Sequence, residues 1–323
     1  MDIEAELLKI LVMNKDYVSG TKLAQALGVS RATINRTIKK LILRGFIIDI
    51  HPKLGYRLVD LDNLSQINRY VDYLDTQMKF YTHYVEICDS TQDIASTFAK
   101  EGAPEGTVVV AEELRRGRGR MGRQWVASRG GLWFSIVLRP KTIKHMHLLS
   151  LAIATAIAES ISNVLGIEAR VKWPNDVLVN EKKVAGILIE GSVEADIIHF
   201  IIVGIGVNVN NNLPQELLDI AISLKDVMGT EVPRIPLFLN ILKSIDDIYN
   251  LFNQNRSSEA VKRWRQYSST LNKYVRVITI DGEFEGVAED IEDDGALRIR
   301  TTKGNRVKVY AGDVIHLREQ KQL

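Results

Sequence analysis

Residues 19–45, SGTKLAQALGVSRATINRTIKKLILRG, constrain the fold more than any other stretch. They read as two short helices with a tight break between them. Ser19 and Thr21 supply capping chemistry for the first helix, and Gly28 stops it. Ser30 caps the second, and Gly45 stops it. In that second helix Ile34, Ile38, Leu41 and Ile42 recur at i, i+4, i+7 and i+8, which makes one apolar face. The opposite face carries Arg31, Thr33, Asn35, Arg36, Lys39 and Lys40. An amphipathic segment, EAELLKILVM, precedes the pair, and FIIDIHPKLGYRLV follows, alternating around Pro52 and Gly55 as a β-hairpin does. Two helices, a Gly-containing turn and then a hairpin is the order of a winged helix-turn-helix, assigned to residues 1–62.

A small helical bundle with a solvated basic face has the same composition. The order of elements favours DNA. So does charge: the whole chain carries a formal +2, yet the first 60 residues hold ten Lys and Arg against six Asp and Glu. Arg31, Thr33, Asn35 and Arg36 are the candidate base-reading residues, with Lys53 and Arg57 of the hairpin on phosphates of double-stranded operator DNA.

The remaining chain divides by pattern. Residues 63–80 read as a polar helical linker. From 81 to 270 strands and helices alternate, which predicts a mixed α/β domain on one sheet. From 271 to 323 five short strands punctuated by Asp281-Gly282, Asp294-Gly295 and Gly304-Asn305 predict a small β-barrel. The fold class is therefore α+β with three domains. A single cysteine, Cys88, excludes an intrachain disulfide and a four-Cys zinc site. The acidic N-terminus is not a signal peptide, and the apolar runs LLSLAIATAIA and IIHFIIVGIGVNV fall short of the about 20 residues a bilayer needs. No membrane association and a cytoplasmic location are expected.

RRGRGRMGRQW, residues 115–125, places Arg115, Arg116, Arg118, Arg120 and Arg123 among three glycines. The glycines spell G-x-G-x-x-G. A dinucleotide loop needs its third glycine to open a helix, whereas Gly122 is followed by RQWVASRGG and a strand-like run. A solvated loop or an RNA-binding tract would have this composition too. Strand-like segments on both sides, TVVVAEEL and GLWFSIVLRP, anchor it over a sheet. Arginine forks on a mobile backbone suit a clamp for a small polyanionic ligand.

GRGRMGRQW, KWPNDV and KVAGILIE occur here in the order and spacing of the biotin–protein ligases, which this chain resembles over nearly its whole length. The N-terminal module makes it similar to the bifunctional class, the biotin operon repressors. The resemblance implies a C-terminal SH3-like barrel and a ligase that joins biotin to AMP using ATP. The biotinyl group then passes to a lysine of a carboxylase carrier domain. Magnesium is implied as carried by ATP, with no side-chain cage of its own. Lys183, Arg118 and Asp176 are implied as catalytic: a cation between two anionic reactants, a phosphate contact, and an orienter or base for the incoming lysine. Ser90, Thr91, Gln92, Arg118, Gly119, Arg120, Lys183, Gly186, Gly204 and Gly206 are implied around biotin. Arg118, Arg120, Trp125, Lys183 and Asn208 are implied around the adenylate. A biotin-responsive repressor that dimerises on the adenylate is the expected regulatory form. Leu114 departs from the family, which carries glutamine there. That departure keeps open a catalytically weak, ligand-sensing repressor, and a related acyl-ligase such as a lipoate ligase is a third reading.

Overall fold

The computed structural model describes residues 2–140, 146–194, 197–279 and 282–316. Three helices open the chain: α1 (Ile3–Met13), α2 (Gly20–Leu27) and α3 (Arg31–Leu43). Each begins at a side-chain cap. Asp2 accepts from the backbone of Glu4 and Ala5, Ser19 from Lys22, and Ser30 from Thr33. These caps satisfy amides that have no intrahelical partner. Leu7, Leu11, Leu23, Ile34, Ile38 and Leu41 form the core of the module. Ile42, expected on the buried face, is 40% exposed; its turn of the helix projects past the edge of that small core. The hairpin is β1 (Ile48–His51) and β2 (Gly55–Leu58), paired Ile48 to Leu58 and His51 to Gly55. A bridge between Val18 and Tyr56 adds a rung that the sequence pattern did not announce.

Residues 63–80 are no free linker. A 3-10 turn at Leu64–Gln66 and α4 (Ile67–Val71) bury Leu64, Ile67, Tyr70 and Val71. Tyr70 meets Phe46 of the N-terminal module edge-on at 5.0 Å between ring centroids. The segment looked polar because its apolar residues are spaced for one helical face and diluted by Asp, Asn and Gln.

The central unit runs β3 (Tyr81–Cys88), α5 (Thr91–Lys100), β4 (Thr107–Arg118), β5 (Gln124–Ala127), β6 (Leu132–Leu138), α6 (Met146–Leu165), β7 (Arg170–Lys172), β8 (Asp176–Val179), β9 (Lys182–Glu194) and β10 (Ile197–Val207). Three further helices follow: α7 (Leu224–Met228), α8 (Arg234–Asn253) and α9 (Ser257–Tyr267). The sheet order is β3-β4-β6-β10-β9-β8-β7, with β5 folded back on β4. Among the described residues β3 and β4 are the one pair of these strands that runs parallel, so the sheet is mixed.

Side chains alternate across this sheet, and the alternation positions the site. On one face Val108, Val110, Phe134, Ile136, Val203 and Ile205 join the core under α6, α8 and α9. On the other, Val109, Val137, Phe200 and Ile202 pack beneath Ala95 and Ala99 of α5. Further along the same face of β10 the apolar residues give way to Gly204 and Gly206, and the surface becomes a hollow. Helix α6 is 20 residues long, and by length and composition it is apolar enough to cross a membrane. Leu148, Leu151, Ile153, Ile157 and Ile161 are instead buried within the protein.

The C-terminal unit is five antiparallel strands: β11 (Tyr274–Thr279), β12 (Gly282–Ile291), β13 (Leu297–Thr301), β14 (Arg306–Val309) and β15 (Asp313–His316). Their order is β14-β13-β12-β11-β15. Among the described residues β14 and β15 do not pair, so the expected SH3-like barrel is an open sheet here. Asp281 of the first predicted turn and the chain beyond 316 lie outside the described residues. Trp173 fastens this unit to the central sheet by donating its indole N–H to the Gly295 carbonyl at 3.1 Å.

Candidate functional site

The hollow is a cleft of about 810 Å³ between the central sheet and the C-terminal sheet. Its floor is glycine. Gly206 pairs with Gly186 across β10 and β9, and Gly204 pairs with Leu188 on one side and Ser135 on the other. A Cβ on Gly206 would lie 2.7 Å from Trp125 Nε1, and one on Gly204 would lie 2.6 Å from Gln92 Cδ. The three glycines, predicted for close approach of a ligand, are thus needed even for the approach of Trp125 and Gln92. The Trp125 indole lies over this floor, edge-on to Trp133 at 6.2 Å, and its buried N–H has no hydrogen-bond partner among the described residues.

The arginine stretch is more ordered than a mobile loop. Strand β4 does not stop at Leu114 but continues to Arg118. Strand β5 returns beside it, pairing Gly117 with Trp125 and Arg118 with Gln124. Only residues 119–123 turn, through a 3-10 segment at Arg120–Gly122. The result is a hairpin flap that carries Trp125 over the floor. Apolar runs predict strands, and the run ends at Leu114; backbone pairing with β5 extends the strand through charged residues.

Lys183 is the second residue of β9 and faces the cleft. Its ammonium lies 2.6 Å from Asp176 Oδ1 and 5.2 Å from the Trp125 ring centroid. The neighbouring Lys182 turns the other way and donates to the Leu218 carbonyl. The Lys183 side chain is only 32% exposed, unlike that of a solvated turn residue. The backbone holds it on both sides, with Lys183 N–H donating to Ile220 O and Ile222 N–H to Lys183 O. Arg120 reaches back from the flap to Asn175 Oδ1 at 3.2 Å and the Gly312 carbonyl at 3.5 Å. Burial lowers its pKa from the ordinary guanidinium value, and Asp176 opposes that shift. Arg123 pairs with Asp313, so two flap residues hold the C-terminal sheet.

At the other end of the cleft, Ser90 caps α5 by accepting from the Gln92 amide. Thr91 shares a 2.8 Å hydrogen bond with Ser135, and Gln92 donates to Glu190 Oε2 at 2.9 Å. All three are buried. Arg118 forks onto Asp93 at 2.7 and 2.9 Å and reaches Glu190 at 3.4 Å. The hydrogen bond to Asp93 raises the Arg118 pKa, and burial opposes that shift. The structure therefore brings Lys183, Asp176, Arg120 and Trp125 together and sets Arg118 with the first turn of α5. Gly119 and Leu114 line the cleft between the two ends. Asn208 is buried, its side-chain oxygen accepting from Asn211 at 3.2 Å.

Several cleft residues escaped the sequence reading. Lys172 pairs in register with Asp176, and burial lowers its pKa. It stands inside the quoted KWPNDV, so the signal was present. Gly312 precedes the last described strand, Asp313 and His316 lie on it, and Asp93 holds Arg118; spacing in sequence gives no hint of these. Glu190, the other partner of Arg118, ends the quoted KVAGILIE. Burial, with Lys172 and Lys273 nearby, pushes the His316 pKa down to about 4.

On the N-terminal module Arg31, Asn35, Arg36 and Lys53 are exposed. Thr33 bonds its hydroxyl to Ser30, and Asn35 accepts from Tyr56. Arg57 is engaged already, by Asp49 at 3.1 Å and by the Tyr17 ring at 4.7 Å.

Residues 84–208 match the Biotin/lipoate A/B protein ligase family, residues 4–57 an HTH domain, and residues 270–317 the Biotin protein ligase C terminal domain. The chain is 35% identical over 305 residues to the Bifunctional ligase/repressor BirA of Bacillus subtilis (strain 168), covering 93% of this chain and 94% of that one. It is 28% identical over 316 residues to the protein of that name from Escherichia coli (strain K12), covering 97% and 96%. The biotin protein ligase from Aquifex aeolicus, solved in complex with biotin and ATP, superposes with a TM-score of 0.66 at 30% identity, over 75% of this chain and all of that one. With the three matched segments in the same order as its three structural units, the chain belongs to the biotin–protein ligase family, in its bifunctional ligase/repressor branch.

Proposed function

We propose that this protein forms biotinyl-5'-AMP from biotin and ATP, transfers biotin to a lysine of a carboxylase carrier domain, and represses transcription in response to biotin. One observation carries the ligase reading. Lys183, Asp176 and Arg120 meet over a glycine floor, in the same cleft as the buried hydroxyls and carboxamide of Ser90, Thr91 and Gln92.

In the first step a biotin carboxylate oxygen attacks the α-phosphorus of ATP and pyrophosphate leaves. Both reactants are anions, and the Lys183 ammonium between them offsets their repulsion. Magnesium carried by ATP would screen its phosphates. Lys183 must exchange its Asp176 partner for the substrate, which frees the Asp176 carboxylate. In the second step the carrier lysine amine attacks the acyl carbon, AMP leaves, and Asp176 takes the proton that the amine loses. Trp125 and the flap exclude water from the mixed anhydride between the two steps. Pyrophosphate release by the wild-type chain with MgATP is the test. Release that depends on biotin and not on lipoic acid supports this reading over a lipoate ligase, and the converse overturns it.

The N-terminal module supplies the repressor. One recognition helix offers few base contacts, and two on a two-fold dimer read an inverted repeat. Biotinyl-AMP promotes homodimerisation through the central domain, and the carrier competes by consuming the adenylate. By reciprocity operator DNA tightens adenylate binding by the same factor. The cytoplasm, where carrier, ATP and DNA meet, is the proposed location. Ultracentrifugation with and without biotin and ATP, beside a DNA titration at fixed salt, checks the coupling. A sedimentation coefficient and DNA affinity that both ignore the ligands would rule it out.

A further inference from the structure

Glu190 closes the KVAGILIE stretch without a role of its own in the reaction, yet one of its oxygens organises the α5 end of the cleft. Glu190 Oε2 accepts from Gln92 Nε2 at 2.9 Å and from Arg118 at 3.4 Å. Gln92 is buried, and its amide nitrogen also reaches the Leu188 carbonyl at 3.4 Å. The donor end of the carboxamide is thereby engaged twice. Its acceptor end lies over Gly204, where a Cβ would stand 2.6 Å from Gln92 Oε1.

A glutamine carboxamide has two ends of nearly equal shape and opposite hydrogen-bonding sense. Without a neighbour of fixed polarity either end can face a ligand. A carboxylate accepts only, so it can hold only the nitrogen. We propose that Glu190 is a positioning residue that sets the Gln92 carboxamide oxygen toward the cleft, and so selects a ligand presenting a neutral N–H donor there. Resting on the ligase reading, this assigns the contact to an N–H of the biotin urea. The hydroxyls of Ser90 and Thr91 beside it donate or accept as needed and impose no such sense. Arg118, held by the same oxygen and by Asp93, closes the flap across this end.

Glu190 is half-exposed, so its replacement leaves the core untouched. Steady-state pyrophosphate release by the full chain, with biotin and MgATP varied in turn, provides the test. Glu190→Met removes the acceptor at similar length and should raise KM for biotin about tenfold, with kcat changing less and KM for ATP unmoved. Glu190→Gln keeps an acceptor oxygen but not the fixed polarity, and should recover only part of that loss. Because Glu190 acts through Gln92, adding Glu190→Met to Gln92→Leu should cost less than twofold more. A KM for biotin within twofold of wild type in Glu190→Met overturns the proposal. So does a matching rise in KM for ATP, full additivity with Gln92→Leu, or equal loss in Glu190→Gln and Glu190→Met, which would assign the role to the charge on Arg118. A wild-type chain that releases no pyrophosphate with biotin overturns the ligase reading and this proposal together. Normal wild-type turnover with an unaffected Glu190→Met overturns this proposal alone.

Discussion

Arg234 forks onto Asp62, its Nε 2.8 Å from one carboxylate oxygen and its NH2 2.9 Å from the other. Asp62 is where the DNA-binding module meets the segment that leads to the ligase sheet. The same guanidinium donates to Glu112 Oε1 at 2.7 Å and to the Gly131 carbonyl at 3.0 Å. Glu112 lies on β4 just before the flap, and Gly131 lies just after the flap returns. One buried side chain, 5% exposed, therefore joins the DNA-binding module to both feet of the hairpin that covers the active cleft. At the far end of the same segment Asp246 accepts from the Gln77 and Met78 amides, each at 2.8 Å, so α8 grips it twice.

Breaking that joint from its buried side should be costly. Arg234→Met leaves Glu112 enclosed without its cation and should lower stability by about 3 to 5 kcal/mol. Asp62, 49% exposed, can turn to water, and Asp62→Ala leaves Arg234 its other acceptors. Its loss should be smaller, about 1 to 2 kcal/mol. Urea unfolding of both variants checks the order; equal losses would mean that the Asp62 arm carries the whole joint.

Arg120→Gly should still make the adenylate and hold it poorly. Arg120 ties the flap tip to Asn175 and to the C-terminal sheet, and without it the cleft opens more easily. Escaped biotinyl-AMP shows as biotin on lysines of an unrelated protein added to the reaction. Retention of the intermediate as tight as wild type would contradict a clamp role.

Leu114→Gln should tighten biotin binding. Leu114 lines the cleft where relatives of this family are expected to offer a carboxamide. One restored buried hydrogen bond is worth up to about 1 to 3 kcal/mol. Calorimetry on the two proteins decides it. Unchanged affinity would show that neighbouring groups already satisfy the ligand, and would weaken the case for a mainly sensory protein.

Acid should loosen the seat of the C-terminal sheet before it unfolds the rest. His316 is held neutral in the folded chain, its pKa near 4 against an ordinary 6.5. Below 6.5 the unfolded chain binds a proton that the folded chain refuses, so stability falls as pH drops from 6.5 toward 4. Below 4 both states are protonated and this contribution is constant. His316→Gln should flatten the fall across that window, as read by thermal unfolding at stepped pH. An unchanged slope would place the pH dependence on other groups.

Much of this protein was legible before any coordinates. The capped helices, the glycine stops and the hairpin around Gly55 are local signals, and each appears where spacing put it. The lining residues Ser90, Lys183, Gly204 and Gly206 sit in recognisable motifs and meet in one cleft. What stayed hidden was non-local. Pairing with β5 extends β4 through arginines that no propensity would put in a strand. Leu64, Ile67 and Tyr70 look incidental until α8 and the sheet are set beneath them. The partners of Arg118 come from α5 and β9, 25 and 72 residues away in the chain.

The central claim is that Lys183 lets one cleft activate biotin for transfer. Incubating the full-length chain with biotin, MgATP and a biotin carrier domain, then weighing the carrier by mass spectrometry, tests it most directly. The account predicts a gain of one biotinyl group on the carrier with the wild-type chain. It predicts no gain with a folded Lys183→Ala variant, in which Asp176 loses its 2.6 Å partner and the two anionic reactants lose the cation between them. An unmodified carrier with the wild-type chain, or near wild-type labelling by Lys183→Ala, would contradict it.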